Sequence, residues 1–115
     1  MIPIIISFDC TDYDPIDSWV FHDPRRVDFW VNFVIGPDQK GGDSFQLNVL
    51  TTKMAQSKKP IANTIMLDSY SWNAVLLKVN EILKQCSGEN WDVVSSKLSK
   101  HMAWEFEDYK VYKPI

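Results

Sequence analysis

The chain has only two cysteines, Cys10 and Cys86, too few for a disulfide framework. It opens Met1-Ile-Pro-Ile-Ile-Ile-Ser-Phe8 and meets Asp9 at once, which lacks the basic start of a secretory leader. No apolar run approaches the roughly 20 residues a membrane span needs. These absences lead to the expectation of a soluble, cytoplasmic protein without a membrane partner. Also missing are a Gly-rich phosphate loop, a nucleophile elbow, a CxxC pair and an HExxH pair, so no catalytic signature stands out. There is no internal repeat, low-complexity tract or linker. At 115 residues the expectation is one domain, 1–115.

Positive charge is absent from the front. Residues 1–24 hold Asp9, Asp12, Asp14, Asp17 and Asp23 with no Lys or Arg, and all 12 basic residues follow. Nucleic-acid binding needs a basic footprint that displaces phosphate counterions, so this front argues against it. An acidic front is compatible with a basic protein partner.

What the chain does have is a globular balance, 45% hydrophobic and 23% charged, with five Trp, six Phe and four Tyr to fill a core. Ile2, Ile4, Ile6 and Phe8 recur at period two and predict a strand over 2–9, with Pro3 suited to a strand end or an edge. Residues 9–26, rich in Asp and Pro, read as a surface loop pinned by Trp19 and Phe21. Val27, Phe29, Val31, Phe33 and Ile35 predict a second strand over 27–35. The turn cluster 36–43 leads into a third over 45–51, a hairpin with a loop longer than two residues. A loop or single helical turn over 53–60 and a short strand over 61–67 follow.

Ser71 then caps a helix whose Trp72, Val75, Leu76, Val79, Ile82, Leu83 and Cys86 form one apolar stripe, ended by Gly88. Asn90 caps a second helix that buries Trp91, Val94 and Leu98. Residues 103–109 alternate again and read as a last strand. The sum is an α+β fold, a single antiparallel sheet with two consecutive C-terminal helices packed on one face.

Candidate chemistry is sparse. His101 with Glu105 lacks a ligand geometry, and Cys10 with His22 would meet only by tertiary accident, a buried inert thiol being the ordinary reading. Glu105 and Glu107 share one strand face and could perturb each other as an acid/base pair; a solvated face, or an acidic face shown to a partner, is the ordinary alternative. No catalytic residue, metal or cofactor is expected. The expected partner contacts are Asp12, Asp14, Asp17, Trp19 and Asp23 in the loop, with Glu105, Glu107, Asp108 and Tyr109 at the end. Trp19 is either packed beneath the loop or an anchor ringed by acids.

Together, Cys86-Ser-Gly-Glu-Asn-Trp91, Lys97-Leu-Ser99 and Trp104-Glu-Phe-Glu-Asp-Tyr109 resemble the immunity protein 8 family of bacterial polymorphic toxin systems. The early Ser-Phe-Asp, Trp19, Phe29-Trp30, Ile35-Gly-Pro37 and Phe45-Gln46 fall in the same order. The resemblance implies a cytoplasmic antidote, monomeric before binding, that neutralises a cognate toxin, often a nuclease, as in contact-dependent inhibition; it implies no catalytic residues. A small hydrolase using Glu105/Glu107 or His101, and a self-associating adaptor, are the alternative classes.

Overall fold

In a computed structural model, residues 1–55 and 62–106 of the chain are described. The elements run β1 (Ile4–Asp9), a 3-10 turn (Ile16–Ser18), β2 (Asp28–Asp38), β3 (Gly41–Thr51), α1 (Thr52–Ala55), β4 (Thr64–Leu67), α2 (Trp72–Gln85), α3 (Trp91–Leu98) and β5 (Ala103–Trp104). This is the expected α+β arrangement. The sheet order is β1-β2-β3-β4, with β5 also on β3.

The strong alternation of β2 and β3 sets the sheet. Phe29, Val31, Phe33 and Ile35 face the core with Phe45, Leu47 and Val49, and all are buried. Their register pairs Phe33 with Phe45 and Val31 with Leu47, so like faces meet across the hairpin. The hairpin is tighter than expected. β2 extends to Asp38 and β3 starts at Gly41, leaving Gln39 and Lys40 as the turn. Neither takes a positive φ, which sets the turn apart from the hairpin types whose twist matches the strands. The register shift between Ile35 and Asp38 lies just before it. There the backbones close in: a Cβ on Gly42 would meet the Ile35 carbonyl, and one on Gly36 the Gly41 carbonyl. Pro37 is tolerated in this central strand because β1 pairs only as far as Gly36.

β1 departs from its period-two reading. A register shift between Ile5 and Ser7 puts Ile5 and Phe8 against the core, rather than Ile4, Ile6 and Phe8. An extra residue in a strand changes which side chains share a face.

β4 is shorter than the predicted 61–67, and it pairs with β3 in parallel, Val49 opposite Ile65. The sheet is thus antiparallel apart from this pair. The intervening residues 52–63 give the crossover that a parallel connection requires. β5 pairs antiparallel with the other end of β3, Phe45 opposite Trp104 and Gln46 opposite Ala103. It spans two residues where seven were predicted; residues 107–109 lie outside those described.

The helices form where capping and periodicity agree. Ser71 Oγ accepts from the Ala74 N–H at 3.0 Å and Asn90 Oδ1 from the Val93 N–H at 3.0 Å, satisfying donors the first turn leaves open. α2 buries Val75, Val79 and Leu83, and α3 buries Val94 and Leu98. The Trp72 ring lies parallel to Phe33, centroids 6.1 Å apart, and contacts Phe8 at 4.9 Å, which docks α2 on the β1/β2 face. Gly88 ends nothing by left-handed geometry, since no glycine has a positive φ; the C-cap is Cys86. Gly88 is instead a point of close approach. It exchanges hydrogen bonds with Met1, N–H to carbonyl in both directions at 3.0 Å, and a Cβ there would lie 2.6 Å from Val93 Cγ1.

Candidate functional site

Two regions carry the predicted contact residues. The first is the 10–26 loop. Its anchors are Ile16, fully buried, and Tyr13 and Phe21, whose rings cluster with Phe29 and Tyr70 at 4.7–5.7 Å. Phe21 pins the loop as expected; Trp19 does so only in part. It stays 40% exposed with its ring 5.4 Å from Tyr13, beside Val20 at 88% exposure. Trp19, Phe21, Pro24, Tyr70 and Trp72 line a concavity of about 380 Å³, with Asp17 at its rim.

The loop acids differ from one another. Asp12, Asp14 and Asp17 are exposed and take part in no hydrogen bond or ion pair among the described residues. Asp23 is answered locally: its Oδ1 accepts from the Arg25 N–H at 3.0 Å, and the Arg25 and Arg26 guanidinium groups sit 4.0 and 3.6 Å away. The Arg25 N–H, helped by these cations, holds the Asp23 carboxyl below the usual carboxylate range. Its charge is therefore largely spent within the loop.

Behind the loop, the Tyr70 hydroxyl is buried and has no partner among the described residues. Burial, with Cys10 nearby, pushes its pKa up to about 12. Because the folded state resists ionising this phenol, its linkage leaves stability constant below about pH 10 and lowers it as pH rises from there toward 12. Tyr70→Phe is expected to leave stability at pH 7 unchanged or raise it by up to about 1 kcal/mol, because it removes an unsatisfied group. It should also flatten the decline above pH 10. Urea unfolding at pH 7 and pH 11 checks both.

The second region is the sheet face turned away from α2 and α3. The cross-strand register sets Asp9, Asn32, Gln46 and Ala103 in one row over four strands. Asn32 Nδ2 donates to Asp9 Oδ2 at 3.3 Å, and Gln46 Nε2 donates to Asn32 Oδ1 at 2.9 Å. In the next row Glu105 and Ser44 bond twice: the Ser44 N–H reaches Glu105 Oε1 at 2.8 Å and the Glu105 N–H reaches the Ser44 carbonyl at 3.1 Å. Asp9, Asn32, Ser44, Gln46, Ala103, Trp104 and Glu105 enclose a hollow of about 530 Å³. Trp30, 40% exposed, stands on the same face one row further along.

Glu105 is held there by an acid in the turn cluster. Asp43 Oδ2 accepts from the indole N–H groups of both Trp91, at 3.0 Å, and Trp104, at 3.1 Å. The one oxygen ties the start of α3 and β5 to the head of β3. Trp104 also stacks on Phe45, centroids 6.3 Å apart and planes at 11°. Neither Asp43 nor the Asp9–Asn32–Gln46 row was singled out from the sequence. The signal for the row was present in the period-two pattern, whose off-core positions carry Asp, Asn and Gln.

The structure places Glu105 on the open sheet face, three strands across from Asp9 of β1, rather than in the acidic loop. Glu107, Asp108 and Tyr109 lie outside the described residues, as therefore does any Glu105/Glu107 dyad. His101 is exposed. Among the described residues no three His, Cys, Asp or Glu side chains converge as metal ligands, and no helix is long and apolar enough to cross a membrane. Cys10 and Cys86 are free thiols in the core; Cys10 Sγ donates to the Trp30 carbonyl at 3.3 Å, and burial raises the pKa of Cys86.

No curated protein and no solved structure gives a significant match to this chain. A family model does, that of Immunity protein 8, over residues 4–109. The matched span contains Trp91 and Trp104, the two indoles gathered on Asp43. Proteins of this kind are generally toxin inhibitors without enzymatic activity, and their partner is a cognate toxin. By that match, which runs through every described strand and helix, the chain belongs to the Immunity protein 8 family.

Proposed function

We propose that this protein, acting as a monomeric single domain in the cytoplasm, neutralises a basic toxin domain of the nuclease type by covering it with an acidic surface. The observation that carries this reading is the 10–26 loop: Asp12, Asp14 and Asp17 are exposed without partners among the described residues, beside half-exposed Trp19. Carboxylates already paired would have to exchange one partner for another on binding, whereas these three keep their full charge for an incoming cation. Trp19 and Val20 add apolar area at the centre of the same surface, where interface anchors concentrate. Asp23 is a weaker contributor because of its arginine neighbours. In this reading Glu105, which stands on the open sheet face apart from the loop, makes a second contact, together with Glu107, Asp108 and Tyr109 of the chain's end. The acids take the place of substrate phosphates in the toxin's groove, so no cofactor and no turnover are needed.

The test uses the toxin domain encoded beside this gene. Asp12, Asp14 and Asp17 changed together to Asn are expected to slow association about tenfold or more at low salt and to flatten its salt dependence. Stopped-flow mixing at several ionic strengths reads both. An unchanged rate and salt slope remove the loop from the interface. Loss of co-expression rescue would show that the same surface protects the cell.

A further inference from the structure

The concavity between the 10–26 loop and the start of α2 has an apolar lining. Trp19, Val20, Phe21 and Pro24 come from the loop, and Tyr70 and Trp72 from the start of the helix. Its polar side chains are mostly engaged elsewhere. Ser71 Oγ is taken as the helix cap, and the Tyr70 hydroxyl is buried near Cys10, so Tyr70 gives the concavity its ring. Asp17 and Ser18 remain, both exposed.

This lining is fixed in place by the fold itself. The Tyr70 N–H donates to the Pro24 carbonyl at 2.7 Å, and the Ser18 and Trp19 N–H groups donate to the Pro15 and Ile16 carbonyls at 3.3 Å. The Phe21 and Tyr70 rings meet edge-on at 4.7 Å. On this anchored frame Val20 is the most exposed large hydrophobic of the described residues. An apolar side chain held out on a rigid support loses little freedom when a partner covers it.

Charge selects the occupant. Asp17 stands at the rim, and Asp12 and Asp14 are exposed in the same loop. These acids repel an anion, and a second copy of the chain would bring the same acids against them. An apolar side chain flanked by Lys or Arg suits both the lining and the rim. The volume of about 380 Å³ is enough for one large side chain.

We infer that this concavity seats one apolar side chain of the toxin, flanked there by Lys or Arg. The inference rests on the immunity reading above and deepens it. The acids govern how fast the partners meet, and the seat governs how long they stay together.

The test measures Val20→Ser and Trp19→Ser against the toxin domain encoded beside this gene, reading association and dissociation separately. Each is expected to speed dissociation about tenfold, with the association rate and its salt slope within about twofold of the parent. Val20 packs so little on the fold that its variant should unfold as the parent does. A photo-crosslinking p-benzoylphenylalanine in place of Val20 then identifies the toxin segment it meets. That segment should hold an apolar residue beside Lys or Arg. Changing that residue to Ser together with Val20→Ser should cost no more than either change alone. Additive effects, unchanged dissociation in both variants, or no crosslink to the toxin overturn the inference. So does a crosslink in the free chain to a second copy, or to residues 107–115, which carry Lys110, Val111, Tyr112 and Lys113. Unchanged dissociation beside slower association of the Asp12, Asp14 and Asp17 variant strikes the seat and leaves neutralisation by the loop standing. Absence of any complex with the parent protein strikes both.

Discussion

Phe33→Ala is expected to lower the unfolding free energy by about 3–5 kcal/mol, the largest effect of any single substitution considered for this chain. Phe33 is fully buried, lies parallel to Trp72 of α2 and meets Phe8 of β1 edge-on at 6.5 Å. It is thus the contact through which β1, β2 and α2 share one core. Truncation removes its transfer free energy and leaves a cavity that two rings on separate elements cannot collapse into. Small domains are stable by about 5–15 kcal/mol in total, so a large share of the fold's margin goes with it. Phe33→Leu should cost much less, about 1–2 kcal/mol, since most of the volume remains. Urea unfolding followed by tryptophan fluorescence gives both values. The folded fraction of either variant should bind toxin with native affinity, because Phe33 touches neither acidic region.

Asp43→Ala is the second large effect, expected at about 2–4 kcal/mol. One oxygen satisfies two half-buried indole donors, and each donor left without an acceptor costs about 1–3 kcal/mol. The consequence reaches further than stability. Trp104 is the residue before Glu105, and its bond to Asp43 together with its stacking on Phe45 keeps β5 in register on β3. Without Asp43 the Glu105 carboxylate should leave the Ser44 N–H, and the hollow should lose an acceptor. Asp43→Asn retains a carbonyl oxygen at the same place and should recover at least half of the lost stability. Thermal unfolding separates the three proteins, and hydrogen exchange at the Ser44 amide reports on Glu105. Protection of that amide unchanged in Asp43→Ala would show that β5 holds its place without the clamp.

These residues mark where the sequence was readable. β2 and β3 were legible because the sheet buries one face and their alternation is uninterrupted from Val27 to Ile35 and from Phe45 to Thr51. α2 and α3 were legible because a capping side chain precedes each apolar stripe, and both caps bond as expected. The misreadings share a cause, in that each depends on how two distant segments meet. The bulge in β1 is invisible in an isoleucine run, where either face reads as apolar. Strand direction for β4 depends on the path of residues 52–63, which periodicity does not encode. Gly36-Pro37 and Gly41-Gly42 read as loop because such residues punctuate turns, yet they sit within strands at a close backbone approach.

The site was legible in part for the same reason. Acid clustering in residues 9–23 can be counted along the chain, and the exposure of Asp12, Asp14 and Asp17 follows from it. That Asp23 is answered by Arg25 and Arg26 was also within reach, given their spacing. The placement of Glu105 on the same open face as Asp9 was not, since it requires β5 to close on β3 across some sixty residues. Asp43 belongs to the same class: its importance comes from Trp91 and Trp104, which no local pattern connects.

The two strands on the outer side of β3 arrive from opposite directions, β4 along Asn48–Thr51 and β5 along Phe45–Gln46. Between them they occupy most of the backbone groups that a hairpin would otherwise offer to a neighbour. Exposed strand margins of that kind recruit other chains and seed aggregates. On the opposite margin, β1 is short, irregular at Ile5–Ser7 and preceded by Pro3, features that discourage an added strand. An inhibitor held in readiness must tolerate accumulation beside its own copies, and this sheet gives those copies little to zip onto.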